Sequence, residues 1–270
     1  MKSKSTWIAS AFAALALVAG TTSAQAGGLI ILEGSDSQTF HSFQPYSDNF
    51  LTGLRTFSSD PTKPILAVGS NPFGAPGGVA GNKVFLGAIP TLAILLSTYS
   101  GIYIGSPFGC CSENDAIILG HEADLFAFSA AGRSIAIEDY QGGAAYNAIL
   151  GFTPPSSAVM GFGGGAGGPT CFDGDAITTV GQTFGLGLAG PIPPLSCFGH
   201  QAYQASFFDA KGFGAHLVDN PGFAGGPFAG FNVVVSNGGG GLVPVPEPAS
   251  LALIGLGLVG LIAARRRPVS

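Results

Sequence analysis

The chain has 270 residues, 46% hydrophobic and only 9% charged, with 44 glycines and a net charge of −5, against about 25% charged residues and about 7% Gly in ordinary soluble domains. Five of its basic residues (Lys2, Lys4, Arg265, Arg266, Arg267) sit in the terminal segments, which leaves Arg55, Lys63, Lys83, Arg133 and Lys211 to face 14 acidic residues in the body. A body this acidic shows no basic run to neutralise phosphates, which argues against nucleic acid as a partner.

The first 26 residues read as a secretory signal peptide. Lys2 and Lys4 supply a positive start, Trp7 to Val18 an apolar stretch, and Ala24-Gln25-Ala26 a small-x-small cleavage site. Cleavage there makes Gly27 the mature N-terminus. An α/β core is expected over residues 27–150. Leu29-Ile30-Ile31-Leu32 is wholly apolar, as expected of a strand buried on both faces. Glu33 to Ser37 then forms a polar turn. Ser47 is the expected cap of a helix that aligns Phe50, Leu54 and Phe57 on one face. Asp60-Pro61 ends it, and Ile65 to Val68 is a second buried strand. Val84 to Leu86 and Ala93 to Leu96 are apolar runs that periodicity alone does not assign.

Gly101 to Ile104 reads as a strand, Asp115 to Ala131 as one helix with Ile118, Leu125 and Phe128 inward, and Ser134 to Ile137 as the next strand. Strand, helix and strand joined by short connections imply a parallel pair. The expected fold is therefore α/β, an open parallel sheet with helices on both faces. An all-β sandwich is the alternative.

From Gly151 the composition changes. Gly161 to Gly168 holds six glycines in eight residues, and Phe-Gly pairs recur without a fixed period. Residues 151–237 are read as a Gly/Phe-rich, irregular annex of the body, with Val233 to Val235 as a final strand. Residues 238–246 form a linker. The four cysteines, Cys110, Cys111, Cys171 and Cys197, are even in number in a chain expected to be exported, which favours disulfides. Three connectivities are open. In an oxidising compartment a disulfide is the expected state of Cys110 and Cys111 rather than a reactive thiol.

In doubly wound sheets ligands bind beyond the carboxyl ends of the strands. The loops there carry Glu33, Ser35, Asp36, Ser106, Glu138 and Asp139, which form the candidate cleft. No catalytic residue is assigned: Gly-x-Ser-x-Gly, Walker and dinucleotide motifs are missing from the sequence. His41, His121, His200 and His216 lack metal-ligand spacing, and Asp173-Gly174-Asp175 reads as a solvated acidic turn, so no metal or cofactor is expected.

Ile31-Leu32-Glu33-Gly34, the helix after it, and the strand, loop and helix around Ile104 to Ala131 resemble the flavodoxin-like domain of class I glutamine-amidotransferase relatives. That family sets its nucleophilic Cys on a tight elbow directly after a strand, between glycines. Here Cys110 comes six residues after Ile104 and is followed by Cys111 and Ser112. The resemblance implies the fold and not the amidase activity.

The chain closes on Pro246-Glu247-Pro248, an uncharged apolar segment to Ala264, and Arg265-Arg266-Arg267. As a helix those 17 residues reach roughly 25 Å, close to a bilayer core of about 30 Å with snorkelling arginines. Arginines at the far end place it in the cytoplasm and the body on the opposite side. These three parts, in this order, resemble the PEP-CTERM sorting signal of exopolysaccharide-producing Gram-negative bacteria. The resemblance implies an exosortase as processing partner, a precursor held in the inner membrane facing the periplasm, then release or transfer to the cell surface. It also implies exopolysaccharide or biofilm matrix as the setting. The competing expectation is a periplasmic hydrolase or ligand-binding domain that uses the strand-end cleft.

Overall fold

The computed structural model describes residues 28–35, 45–69, 83–105, 115–138, 140, 142–161, 174–192, 199–221 and 231–237. Asp36, Ser106, Asp139, the four cysteines, the signal peptide and residues 238–270 lie outside them. Among the described residues no helix is long and apolar enough to cross a membrane.

Among the described residues eleven strands form one mixed sheet. Five are parallel, in the order β3 (Lys83–Leu86), β2 (Ile65–Val68), β4 (Gly101–Ile104), β5 (Ser134–Glu138) and β1 (Ile30–Glu33). The four strands expected from their apolar runs are thus contiguous neighbours, and the sandwich alternative falls. Their side chains alternate between two cores, as strand geometry requires. Leu32, Leu66, Ile102, Ile104, Ile135 and Ile137 pack on one face with Leu95, Ile118, Leu125 and Phe128. Ile31, Ile65, Tyr103 and Ala136 pack on the other with Phe50, Leu51, Leu54 and Phe184. Helices therefore cover both faces, and the wholly apolar strands follow from burial on each side.

The helix α1 (Tyr46–Thr56) occupies the second face. It follows Pro45 directly and has no side-chain cap. Ser47, expected as that cap, is instead buried inside the first turn. The unassigned run at 93–96 is part of α2 (Leu92–Thr98), which packs on the first face against the helix at Glu122–Ala130. The helix expected at Asp115 to Ala131 is two: α3 (Asp115–Ile118) and α4 (Glu122–Ala130). Gly120 between them has φ +86°, which a helix cannot hold. The break moves no stripe residue outward, since Ile118, Leu125 and Phe128 are all fully buried.

Where it is described, the annex expected to be irregular is built of regular elements; residues 162–173, 193–198 and 222–230 of it lie outside the described residues. After α5 (Ala144–Leu150) come β6 (Val159–Gly161), β7 (Ala176–Ile177), α6 (Thr179–Phe184), β8 (Gly190–Pro191), β9 (Gln201–Gln204), α7 (Ala205–Phe208), β10 (Ala215–Asp219) and β11 (Phe231–Ser236). β11 pairs antiparallel with β1, and β10, β7 and β8 continue the sheet outward. β9 also pairs with β11, and β6 with β9. Among the described residues of the annex, some glycines serve close backbone approach rather than turns. A Cβ on Gly181 would lie 2.1 Å from the Leu217 carbonyl oxygen, so only Gly lets α6 sit on β10.

Candidate functional site

Parallel strands bring their carboxyl ends to one edge. Leu29, just before β1, and Ile31 on it face α1, so Glu33, two residues further, shares that face. On β5, Ala136 faces the same way and so does Glu138. Register makes Glu33 and Glu138 direct partners across the β1–β5 pair. Both are fully buried, as is Ser35. The Ser35 hydroxyl donates to Glu33 Oε1 at 2.9 Å. Three of the six candidate cleft residues are thus gathered on one face of two strand ends. Asp36, Ser106 and Asp139 are outside the described residues.

Gly34 holds this arrangement. Its N–H donates to the Val233 carbonyl at 2.6 Å, and its carbonyl accepts from the His200 and Gln201 N–H groups at 2.6 and 2.8 Å. A Cβ there would stand 1.9 Å from the Gln201 oxygen and 2.4 Å from that of Val233. The chain beyond β1 is wedged between β9 and β11 with no room for a side chain, and Ser35 bridges to Gly199 beyond it.

Tyr46, the first residue of α1, closes the nest and was not singled out in the sequence. Burial raises its hydroxyl well above the usual tyrosine range, and the charges of Glu33 and Asp175 add to the rise, against a hydrogen bond with Ser35. Asp175, expected in a solvated acidic turn, is buried and accepts from Asn220 Nδ2 at 2.7 Å. That expectation is corrected: the residue preceding β7 is folded against the end of β10. Among the described residues no group of three His, Cys, Asp or Glu side chains is placed to hold a metal ion.

Beside Tyr46 lies a cavity of about 240 Å³, walled by Pro45, Ile177, Leu186, Leu188, Pro191 and Ile192. Asn49 Nδ2 donates to the Leu186 carbonyl at 2.9 Å, and the Phe57 and Phe184 rings stack at 5.6 Å, so α1 fixes the wall that follows α6. A Cβ on Gly53 would meet the Phe184 ring at 2.5 Å, and only Gly allows that approach. The cavity offers apolar contact, while Glu33 and Glu138 are fully buried.

Two further carboxylate arrangements stand apart. His216 Nε2 lies 2.7 Å from Asp209 Oδ1, and its Nδ1 lies 3.7 Å from Asp219. Burial raises the Asp219 carboxyl while the His216 charge opposes the rise. At the opposite edge of the sheet, Asp60 Oδ2 meets Lys63 Nζ at 2.8 Å and Arg133 Nη2 at 3.4 Å. Both cations also donate to the Leu96 carbonyl, which ties the end of α1, the end of α2 and the start of β5 together.

Residues 244–267 match the family model of the PEP-CTERM protein-sorting motif. No curated protein and no solved structure matches the chain.

Proposed function

We propose that this exported exosortase substrate passes through a membrane-held precursor and ends in the exopolysaccharide or biofilm matrix of the cell surface. The sorting motif at residues 244–267 carries the reading. The apolar segment from Pro248 to Ala264 and the closing arginines suit a short span with its end in the cytoplasm. The glycine-heavy, low-charge body suits packing against matrix. Replacing Pro246, Glu247 and Pro248 by alanine is expected to leave an unprocessed, membrane-retained precursor. Unchanged maturation and location of that variant would sink the reading. The cysteines are expected to be disulfide-bonded after export, so intact-mass analysis without reductant should find no alkylatable thiol.

A second reading, a periplasmic ligand-binding or hydrolytic domain, is favoured by one observation: Glu33, Glu138 and Ser35 are gathered at two strand ends, and Tyr46, which lines the cavity, interacts with Glu33 and Ser35. Their complete burial weighs toward a structural polar nest. Glu33→Gln and Ser35→Ala variants that fold and mature normally but lose hydrolysis or binding of a soluble periplasmic ligand would favour the second reading.

A further inference from the structure

The helix layer on the first face has an outer surface without charge. A helix that covers a core usually turns charged and polar residues to water, yet no exposed residue of α2, α3 or α4 is ionisable. Their acids, Asp115, Glu122 and Asp124, are half-buried. Asp115 caps α5, and Glu122 Oε2 accepts from the Gly120 N–H at 2.8 Å. What stands outward instead is apolar: Phe126 is 60% exposed and Ile94 48%. α2 packs against α4, and each of these two residues lies one turn before the end of its helix. The two helix ends are side by side, since Arg133, just beyond α4, donates to the Leu96 carbonyl of α2. Phe126 and Ile94 therefore share one level of one surface. Leu119, 70% exposed, extends it toward the carboxyl edge of the sheet.

The described chain leaves the sheet beside this surface. Asn237 follows β11, and its Nδ2 donates to the Gly28 carbonyl at 3.4 Å. The Gly28 N–H in turn donates to the carbonyl of Ser129, in the last turn of α4, at 2.8 Å. Phe126 is one turn before Ser129. Ten residues, Gly238 to Glu247, separate Asn237 from the apolar segment at Pro248, and they cannot span more than about 36 Å.

We propose that the outer face of α2 and α4 rests on the lipid surface in which the tail is held, with Phe126 and Ile94 entering the headgroup boundary. The inference rests on the reading that the tail is held in a membrane. Exposed apolar surface marks contact with a protein or a membrane, and the tether decides between them. A linker this short holds the face at the bilayer at an effective concentration on the order of mM, whereas a second copy has to be met by diffusion. Interfacial binding grows with the apolar area buried, and a face without exposed charge presses no ion out of water. The contact needs no anionic headgroup and is therefore insensitive to salt. It is weak without the tether, so removal of the tail by processing uncovers the face on the released body.

Trp7 is the only tryptophan, so the chain from Gly27 to Ser270, which keeps the whole body and the tail, has none. Phe126→Trp and Ile94→Trp place a single reporter on the proposed face, and Leu188→Trp places one on the second face, where Leu188 is 83% exposed. Each chain is inserted by its tail into vesicles of phosphatidylcholine, with or without brominated acyl chains. The expected result is a blue shift and several-fold stronger bromine quenching at positions 126 and 94 than at 188, unchanged by high salt. Equal quenching at all three positions overturns the inference alone, as does quenching at 126 and 94 that high salt abolishes. So does a reporter at 126 that is already blue-shifted and shielded from iodide before vesicles are added, which would place the tail or a second copy on the face. A chain that does not float with the vesicles overturns the reading of the tail, and this inference with it.

Discussion

Gly34 shows how one residue sets the strand end. Its neighbours on both sides are backbone oxygens, which cannot swing aside as a flexible side chain would. Gly34→Ala is expected to cost about 3 kcal/mol, near the upper end for overpacking. Gly87, with nothing within 4 Å of a built Cβ, is the control: Gly87→Ala should stay within about 0.5 kcal/mol. Urea denaturation of the two variants reads the difference, and equal midpoints would refute the wedge. Asp60 supplies a pH dependence. Hydrogen bonds from Lys63 and then Thr62, with the charges of Lys63 and Arg133, hold its carboxyl well below the usual range. The folded state thus favours the carboxylate, and the unfolded chain takes up a proton first as pH falls. The stabilisation is fully present above the unfolded value of about 4 and is lost on further acidification. Asp60→Asn should be less stable than the parent at neutral pH and lose less between neutral pH and about pH 3. Parallel acid limbs in urea midpoints would contradict this. Glu33, Ser35 and Glu138 were legible in the sequence because any apolar run followed by polar residues marks a strand end. Tyr46 and Asn220 were not, since their partners lie far along the chain.

The helices separate what periodicity reveals from what it hides. Phe128 and Leu125 repeat at helical spacing and are fully buried, while Phe126 between them is 60% exposed. Phe128→Ala is expected to destabilise by about 3–5 kcal/mol and Phe126→Ala by less than about 1 kcal/mol, which a pair of thermal melts separates. The same pattern could not show the break at Gly120, because the apolar stripe runs on across it. Nor could it show how α5 begins. Asp115 Oδ1, from the first turn of α3, accepts from the Ala145 and Tyr146 N–H groups at 2.8 and 3.1 Å. It caps a helix roughly thirty residues away, where local capping rules look only at the preceding residue. Asp115→Ala should cost about 1–2 kcal/mol, and amide exchange at Ala145 and Tyr146 should quicken more than in α1. Unchanged exchange there would remove the capping role.

At the scale of the whole molecule, the strand that opens the body is completed by the strand that ends it. β1 lies between β5 and β11, and the Ile30–Asn237 bond joins residues 207 apart in sequence. One core holds Ile31 and Phe50 from the first half with Phe184, Leu217 and Val234 from the second. The contrast in composition at Gly151 made the halves look like different kinds of structure, because residue content says nothing of which strand pairs with which. The parallel half was legible from its apolar strands, while the antiparallel half was hidden in segments as short as two residues, such as Ala176–Ile177. Two consequences follow from the closure of β1 by β11. Folding should be slow for a chain of this size, since long-range pairing delays the reward for closing the loop. Unfolding of the two halves should also coincide, because neither can lose the shared sheet alone. Amide exchange at Leu66 and Ile102 in the parallel half and at Leu217 and Val234 in the antiparallel half, followed at rising urea, should converge on one unfolding free energy. A chain ending at Leu150 would leave the hydrogen-bonding edge of β1 and the Ile31 core uncovered, and it should be insoluble or molten. A soluble, cooperatively folded fragment of residues 27–150 would show instead that the parallel half is a domain in its own right, and the single-sheet account would then describe a docking of two units rather than one fold.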